Sequence, residues 1–254
     1  MRFFVKENSI VRKIWGKSDT IIFIFAGSAA EFALNKAVDW LYYTGKLPAD
    51  PIGRLFSTVV YARQIVFSEY EAALSAIDRI TSIHAAVESS RQQKIPDWAY
   101  RDVLFMLVHY SIASYELLER KLTIAEKEEV FDVFYRVGER MYLKGLPKSF
   151  SEWEIMRKEH LDNDLHNGDL TIDLFKQYKK HLGFVRYKLL LHGQILVVPP
   201  SVNHLLKLGN FSWLRLMIPP YKLSRIFKLE WVIKSLVLPK KYKAQIKDLD
   251  MIPG

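Results

Sequence analysis

The sequence predicts an all-α protein folded as a single helical domain. Three observations carry that expectation: apolar residues return every three or four positions along most of the chain, strand-like alternation is almost absent, and glycine and proline gather at a few breaks. The breaks fall at Gly45-Lys46-Leu47-Pro48 through Pro51-Ile52-Gly53, at Ile95-Pro96, at Gly145-Leu146-Pro147, at Pro199-Pro200, at Pro219-Pro220 and at Pro239.

Between the breaks each helix has its own signal. Tyr70, Ala73, Leu74, Ile77, Ile80, Ile83, His84 and Val87 trace one apolar stripe. Asp97 is placed to cap a second helix through Val103, Leu104, Leu107, Val108 and Ile112. Thr123 with Glu126, and Ser151 with Glu154, read as capping boxes that open two more. Thr171 opens another, through Leu174, Tyr178 and Leu182. The one β-branched run, Ile195 to Val198, is too short to found a sheet. No repeat or long linker divides the chain, so the expectation is a helical domain over 1–209 with a basic extension, 210–254, packed on it or trailing from it.

Half of the 254 residues are apolar or aromatic, enough for a sizeable core. The absence of cysteine excludes disulfides, iron–sulfur clusters, thiolate-ligated haem and Cys-bound zinc, and leaves His, carboxylate, Tyr or Met for any metal. The start of the chain lacks the uninterrupted apolar run of a signal peptide, because Glu7, Asn8, Arg12 and Lys13 intervene. Ile21 to Leu34 is too short to cross a bilayer. These features point to the cytoplasm. The net charge of +9 is concentrated between Lys176 and Lys247. With no zinc finger, RNP-type strand or basic heptad array, nucleic acid is not expected as a partner, and a solvated basic face or peripheral contact with an anionic membrane is.

Candidate chemistry centres on histidine. His84 lies on the apolar stripe of its helix, and His109 stands among Phe105, Val108 and Ile112 on the next. An imidazole on such a face must meet a hydrogen-bond partner or a metal, and both readings stay open from spacing alone. Arg54 and Thr58 fall at i and i+4 after the Pro51 turn, which puts a guanidinium and a hydroxyl on one face, suited to a propionate or to a polar network. His160, Asp164 and His166 read as a solvated helix end. Paired Glu-x-x-His motifs, His-Glu-x-x-His, a Gly-x-Ser-x-Gly elbow, a phosphate loop and a dinucleotide fingerprint are all missing.

Taken in order, Ile14-Trp15-Gly16, Ala26-Gly27-Ser28-Ala29-Ala30-Glu31-Phe32-Ala33-Leu34, Arg54 to Thr58, the His84 helix and Trp98 to His109 resemble the catalytic domain shared by rubber oxygenases (latex-clearing proteins) and mpaB-type oxygenases. Tyr142 to Pro147 and Leu182 to Pro199 extend the likeness, which covers roughly Trp15 to Leu208. The resemblance implies a globin-like core holding haem b and oxidative cleavage of isoprenoid double bonds by dioxygen. It places the iron ligand on His84, the Arg-x-x-x-Thr motif on Arg54 and Thr58 at the distal side, and a supporting histidine on His109. The chain departs from rubber oxygenases at Ser57, where they carry a lysine able to reach the iron. An upstream carboxylate tied to base chemistry has two candidates here, Glu31 and Asp39.

The leading expectation is therefore an oxidoreductase, a haem b oxygenase acting on an apolar, isoprenoid or lipid-like alkene. Two alternatives stand beside it: a haem-binding protein without turnover, and a helical membrane-surface module in which Lys207, Arg215, Lys222, Arg225, Lys228 and Lys234 face anionic lipid and haem is absent.

Overall fold

The computed structural model describes residues 2–226 and 247–250. Among these residues it is all helical: α1 (Ile10–Trp15), α2 (Ser18–Leu34), α3 (Asp39–Tyr43), α4 (Lys46–Ala49), α5 (Pro51–Phe67), α6 (Tyr70–Arg91), α7 (Asp97–Leu118), α8 (Ile124–Arg140), α9 (Phe150–Asn163), α10 (Asp169–Val197), α11 (Pro200–Leu206) and α12 (Leu214–Ile226). Only two isolated β-bridges occur there, Phe3 with Glu69 and Asn35 with Leu165. Pro239 and the cations Lys228 and Lys234 lie outside the described residues.

The centre of the fold is α2. It is apolar around most of its circumference, and a helix of that kind must be covered on all sides. It is flanked by α1, α5, α7, α10 and α11. Closest approach is to α7, where Gly27 presents bare backbone to the ring of Tyr110. The stretch that is too short to span a bilayer is thus a core helix, and no described helix is long and apolar enough to cross a membrane.

Local signals set most of the boundaries. Asp50 accepts from the Gly53 amide and Pro51 fills the first turn of α5. The Thr123–Glu126 box is present at α8 with both reciprocal bonds. Two expectations shift. At α9 the cap is Ser149, which accepts from the Glu152 amide, two residues before the expected Ser151–Glu154 box; starting there turns Phe150 and Trp153 onto the core side. At α7 Pro96 holds the cap position, and Asp97 sits inside the first turn, where its charge still favours the helix N-terminus. Thr171 lies in the first turn of α10, bonding the Gly168 amide and the Ala33 carbonyl.

Two further features differ from the pattern of breaks. Gly183, at φ +72, kinks α10 into two limbs. Pro219 and Pro220 fall inside α12 and do not end it. Beyond α12, the described residues 247–250 return to the opposite end of the sequence: Asp250 accepts from the amide and hydroxyl of Ser18, and Arg63 donates to the carbonyls of Trp15 and Leu249.

Candidate functional site

The first group assembles on α5 and α6, which pack against each other. Arg54 Nη1 donates to Thr58 Oγ1 at 2.8 Å and to Ser57 Oγ at 3.2 Å. Among the described residues no carboxylate pairs with this guanidinium, and burial lowers its hold on the proton. His84 is half-buried, with its ring edge-on to Tyr100 at 5.1 Å between centroids. Burial, then the charge of Arg54, push it down to about 4, against a smaller opposing pull from Glu88. His84 is accordingly neutral at pH 7, and its Nδ1 is buried without a hydrogen-bond partner. Tyr100 Oη and the Ile95 amide both donate to Glu88, which ties α6 to the start of α7.

The apolar stripe of α6 is less covered than its spacing implies. Ala73, Ala76 and Ile77 are buried, whereas Ile83 is 44% exposed, so His84 stands where the cover thins. Farther along the same helix, Arg91 pairs with Asp39 at 2.6 Å and lies over the Trp40 ring. Being seven residues from His84, Arg91 shares its helix face about two turns away. One of the two upstream carboxylates is thereby carried to the His84 side of the molecule.

His109 belongs elsewhere. It sits on α7 nine residues beyond Tyr100, a rise of roughly 13 Å. It donates to the Val197 carbonyl, and burial together with the Arg157 charge pushes it down to about 4. The structure brings Arg54, Thr58 and His84 together and places His109 beside a second group.

That second group is a buried charge network which the reading of α9 as a solvated end missed. Glu31 of α2 takes both terminal nitrogens of Arg157 in a bidentate pair, accepts from Tyr110 Oη at 2.7 Å, and meets His160 Nε2 at 3.0 Å. His160 Nδ1 lies 2.7 Å from Asp102 Oδ2, obliquely, and 3.5 Å from Asp164 Oδ2, while Asn35 donates to Asp102. Burial opposes the charge on His160, but Asp102 and Glu31 outweigh it and push the imidazole up to about 9. Burial also opposes ionisation of Glu31, and Arg157 with His160 reverses this to hold the carboxyl far below its usual range. The signal in the sequence was Glu31 itself, a lone carboxylate in the most apolar stretch of the chain, which demands a buried cation.

Asp102, His160 and Asp164 offer ligand atoms within 4.8 Å of one another, a spacing open to a divalent ion. Within the buried part of the group Glu31 and Asp102 are faced by Arg157 and the His160 imidazolium, and the partly exposed Asp164 is a third carboxylate beside them. The network also fixes Glu31 as a structural anion, so Asp39 is the carboxylate left on the His84 side.

These histidines make stability depend on pH in opposite senses. His84 and His109, depressed to about 4, contribute stability that is complete above the unfolded value near 6.5 and is lost as pH falls towards 4. His160, raised to about 9, contributes stability that is complete below 6.5 and is lost as pH rises through 9. Denaturation midpoints measured from pH 5 to 9 are expected to peak near neutrality. His109→Gln, which keeps a donor but cannot ionise, is expected to flatten the acid limb, whose full depth for this residue is on the order of 3 kcal/mol. An unchanged acid limb would refute this assignment.

Residues 15–224 match the family described as ER-bound oxygenase mpaB/B'/rubber oxygenase, catalytic domain. The match runs past Leu208 into α12 and includes every residue of both groups. No curated protein matches the chain. The family is one of oxygenases, for which a metal or haem cofactor, dioxygen and an oxidisable substrate are the implied participants. With its all-helical fold and a match across most of its length, the chain belongs to the mpaB and rubber oxygenase catalytic-domain family.

Proposed function

We propose that the protein is a haem b-dependent oxygenase that cleaves a carbon–carbon double bond in an apolar, isoprenoid or lipid-like substrate. The observation that carries this reading is His84: a neutral imidazole with an orphaned buried Nδ1, within the field of the Arg54 guanidinium, which pairs with no carboxylate among the described residues. Iron takes imidazole in its unprotonated form, and a half-buried arginine with no carboxylate partner among the described residues suits a propionate, so the residues present fit the group. Haem, when bound, supplies the activation of dioxygen that alkene cleavage needs.

The chain's own residues do the rest. His84 would hold the iron, with its ring edge-on to Tyr100 and kept uncharged by burial and by Arg54. Arg54 is held by Thr58 and Ser57, and its guanidinium presents positive charge to a bound carboxylate or to developing negative charge on oxygen. Ser57 is too short to reach an iron as a lysine would, and its hydroxyl is instead engaged by Arg54. Asp39, half-exposed and paired with Arg91, is the carboxylate suited to accept a proton near the substrate. His109, bonded to Val197 and beside Arg157, belongs to the second group, and its part is to hold α7 against α10. The apolar side chains around α5 and α10, among them Ile52, Leu55, Phe175, Tyr187 and Leu190, form a wall compatible with an alkene chain.

The test is an absorption spectrum with a pyridine haemochrome assay on protein made with ample haem. Wild type is expected to carry about one haem b per chain and His84→Ala to lose most of it while keeping its helical circular dichroism. Well-folded wild type without haem would overturn the reading. Haem retained fully in His84→Ala would move the iron ligand to another residue.

A further inference from the structure

From Leu174 to Ile226 the chain has no aspartate or glutamate, and it has nine lysines and arginines. Two of these, Lys222 and Arg225, are not available to a partner, because both bond Glu119. Both belong to the cations expected to face lipid, and in the structure each is taken up by Glu119 instead. Of the other seven, Lys176, Lys179, Lys180, Arg186 and Lys188 lie on α10, where Arg186 has a bonding partner of its own, Lys207 caps α11 and Arg215 lies in the first turn of α12.

Within this acid-free stretch of chain, large apolar side chains stand in solvent. At the α10 kink, directly after Gly183, Phe184 is 64% and Val185 71% exposed, with exposed Lys179 and Lys180 on one limb and Lys188 on the other. Val185, Lys188 and His192 follow at i, i+3 and i+7, so they share one helix face. His192 continues that face into the next segment, since Trp213 meets its ring at 5.5 Å and Ser212 bonds its carbonyl. Phe211, Leu216 and Met217 are exposed around Arg215 in the same segment. The result is a band of protruding apolar side chains collared by cations.

We propose that this band, the α10 kink with the start of α12, is a docking surface for an anionic lipid bilayer. Protruding Phe184 and Val185 gain by leaving water for the acyl boundary, while the lysine collar meets negative headgroups, the two components of interfacial binding. A second copy of the chain fits worse, because the same face would set cation against cation. The inward side of α10 carries Leu174, Tyr178, Tyr187 and Leu190 against the α5 region, so docking here brings the Arg54 helix towards the phase in which an apolar alkene dissolves. The surface itself stands independently of the haem reading.

The experiment is co-sedimentation of the full chain with vesicles of phosphatidylcholine alone and of phosphatidylcholine with phosphatidylserine. Wild type is expected to bind the anionic vesicles and to be released by salt. The pair Lys179→Ala and Lys180→Ala is expected to weaken binding by roughly fivefold per lysine, and Phe184→Asp with Val185→Asp to weaken it at least as much. All four side chains are on the surface, and circular dichroism checks that the fold is kept. His84→Ala is expected to bind vesicles like wild type, so loss of the haem reading leaves this one intact. Folded wild type that ignores anionic vesicles would overturn the proposal, as would binding unmoved by either pair. Aspartates at 184 and 185 that change the oligomeric mass but not vesicle binding would assign the band to self-association instead.

Discussion

Arg157→Met is expected to cost about 3–5 kcal/mol of folding stability, against a typical total of about 5–15 kcal/mol for a protein domain. The reason is what remains behind. Glu31 is fully buried, and removing the bidentate guanidinium leaves it with Tyr110 and His160 alone, a carboxylate in the middle of the core with half its compensation gone. The attraction between the pair is not by itself the source of stability, since desolvating two charges consumes most of it. A double-mutant cycle separates these. Glu31→Leu with Arg157→Met replaces both charges by apolar groups of similar bulk, and is expected to be less destabilised than the sum of the single variants. Denaturant midpoints for the four proteins decide the matter: Arg157→Met within about 1 kcal/mol of wild type would mean that the charges are solvated and the network is not a core element.

Gly27→Ala is expected to cost about 3 kcal/mol or more, although alanine is intrinsically the better helix former by about 1 kcal/mol. A Cβ at this position would lie 2.2 Å from Cδ1 and Cε1 of Tyr110, far inside contact distance. The ring cannot swing aside freely because its hydroxyl is tied to Glu31. Tyr110→Phe releases that tether, so the same alanine is expected to cost less in the phenylalanine background. Gly193 on α10 supplies the control. There an added Cβ meets Phe23 at 3.7 Å and Ala26 at 3.8 Å, ordinary contact, and Gly193→Ala is expected to be neutral or stabilising. Thermal or chemical denaturation of these variants tests both statements. Equal effects at 27 and 193 would show that α2 and α7 do not approach as closely as described.

How much of this was legible in the sequence follows the range of the forces involved. The α6 and α8 helices could be read because apolar periodicity and the Thr123–Glu126 box act within a few residues. The α9 cap was displaced by two positions because Ser149 and Ser151 both stand three residues before a glutamate, and only the packing of Phe150 and Trp153 chooses between them. The grouping of Arg54, Thr58 and His84 combines a local motif with one helix–helix contact. The Glu31, Arg157 and His160 network was not legible, because its members are 126 and 129 residues apart and charged side chains are exposed by default. His160 in particular sits in a polar stretch whose composition resembles a wet helix end, and it is tertiary structure alone that places Asp102 and Glu31 at its two ring nitrogens.

The return of residues 247–250 to the start of α2 bears on the order in which the molecule can be completed. Arg63 is buried, and of its backbone acceptors among the described residues the Leu249 carbonyl is made long after that of Trp15. On the ribosome α1, α2 and α5 can meet early, yet the amide and hydroxyl of Ser18 have to wait for Asp250. The nascent chain therefore holds an unfinished seam while everything between is translated. Closing that seam follows the synthesis of every other described element, so a chain that stops short of Lys247 leaves its first long helix without the Asp250 carboxylate at its N-terminus.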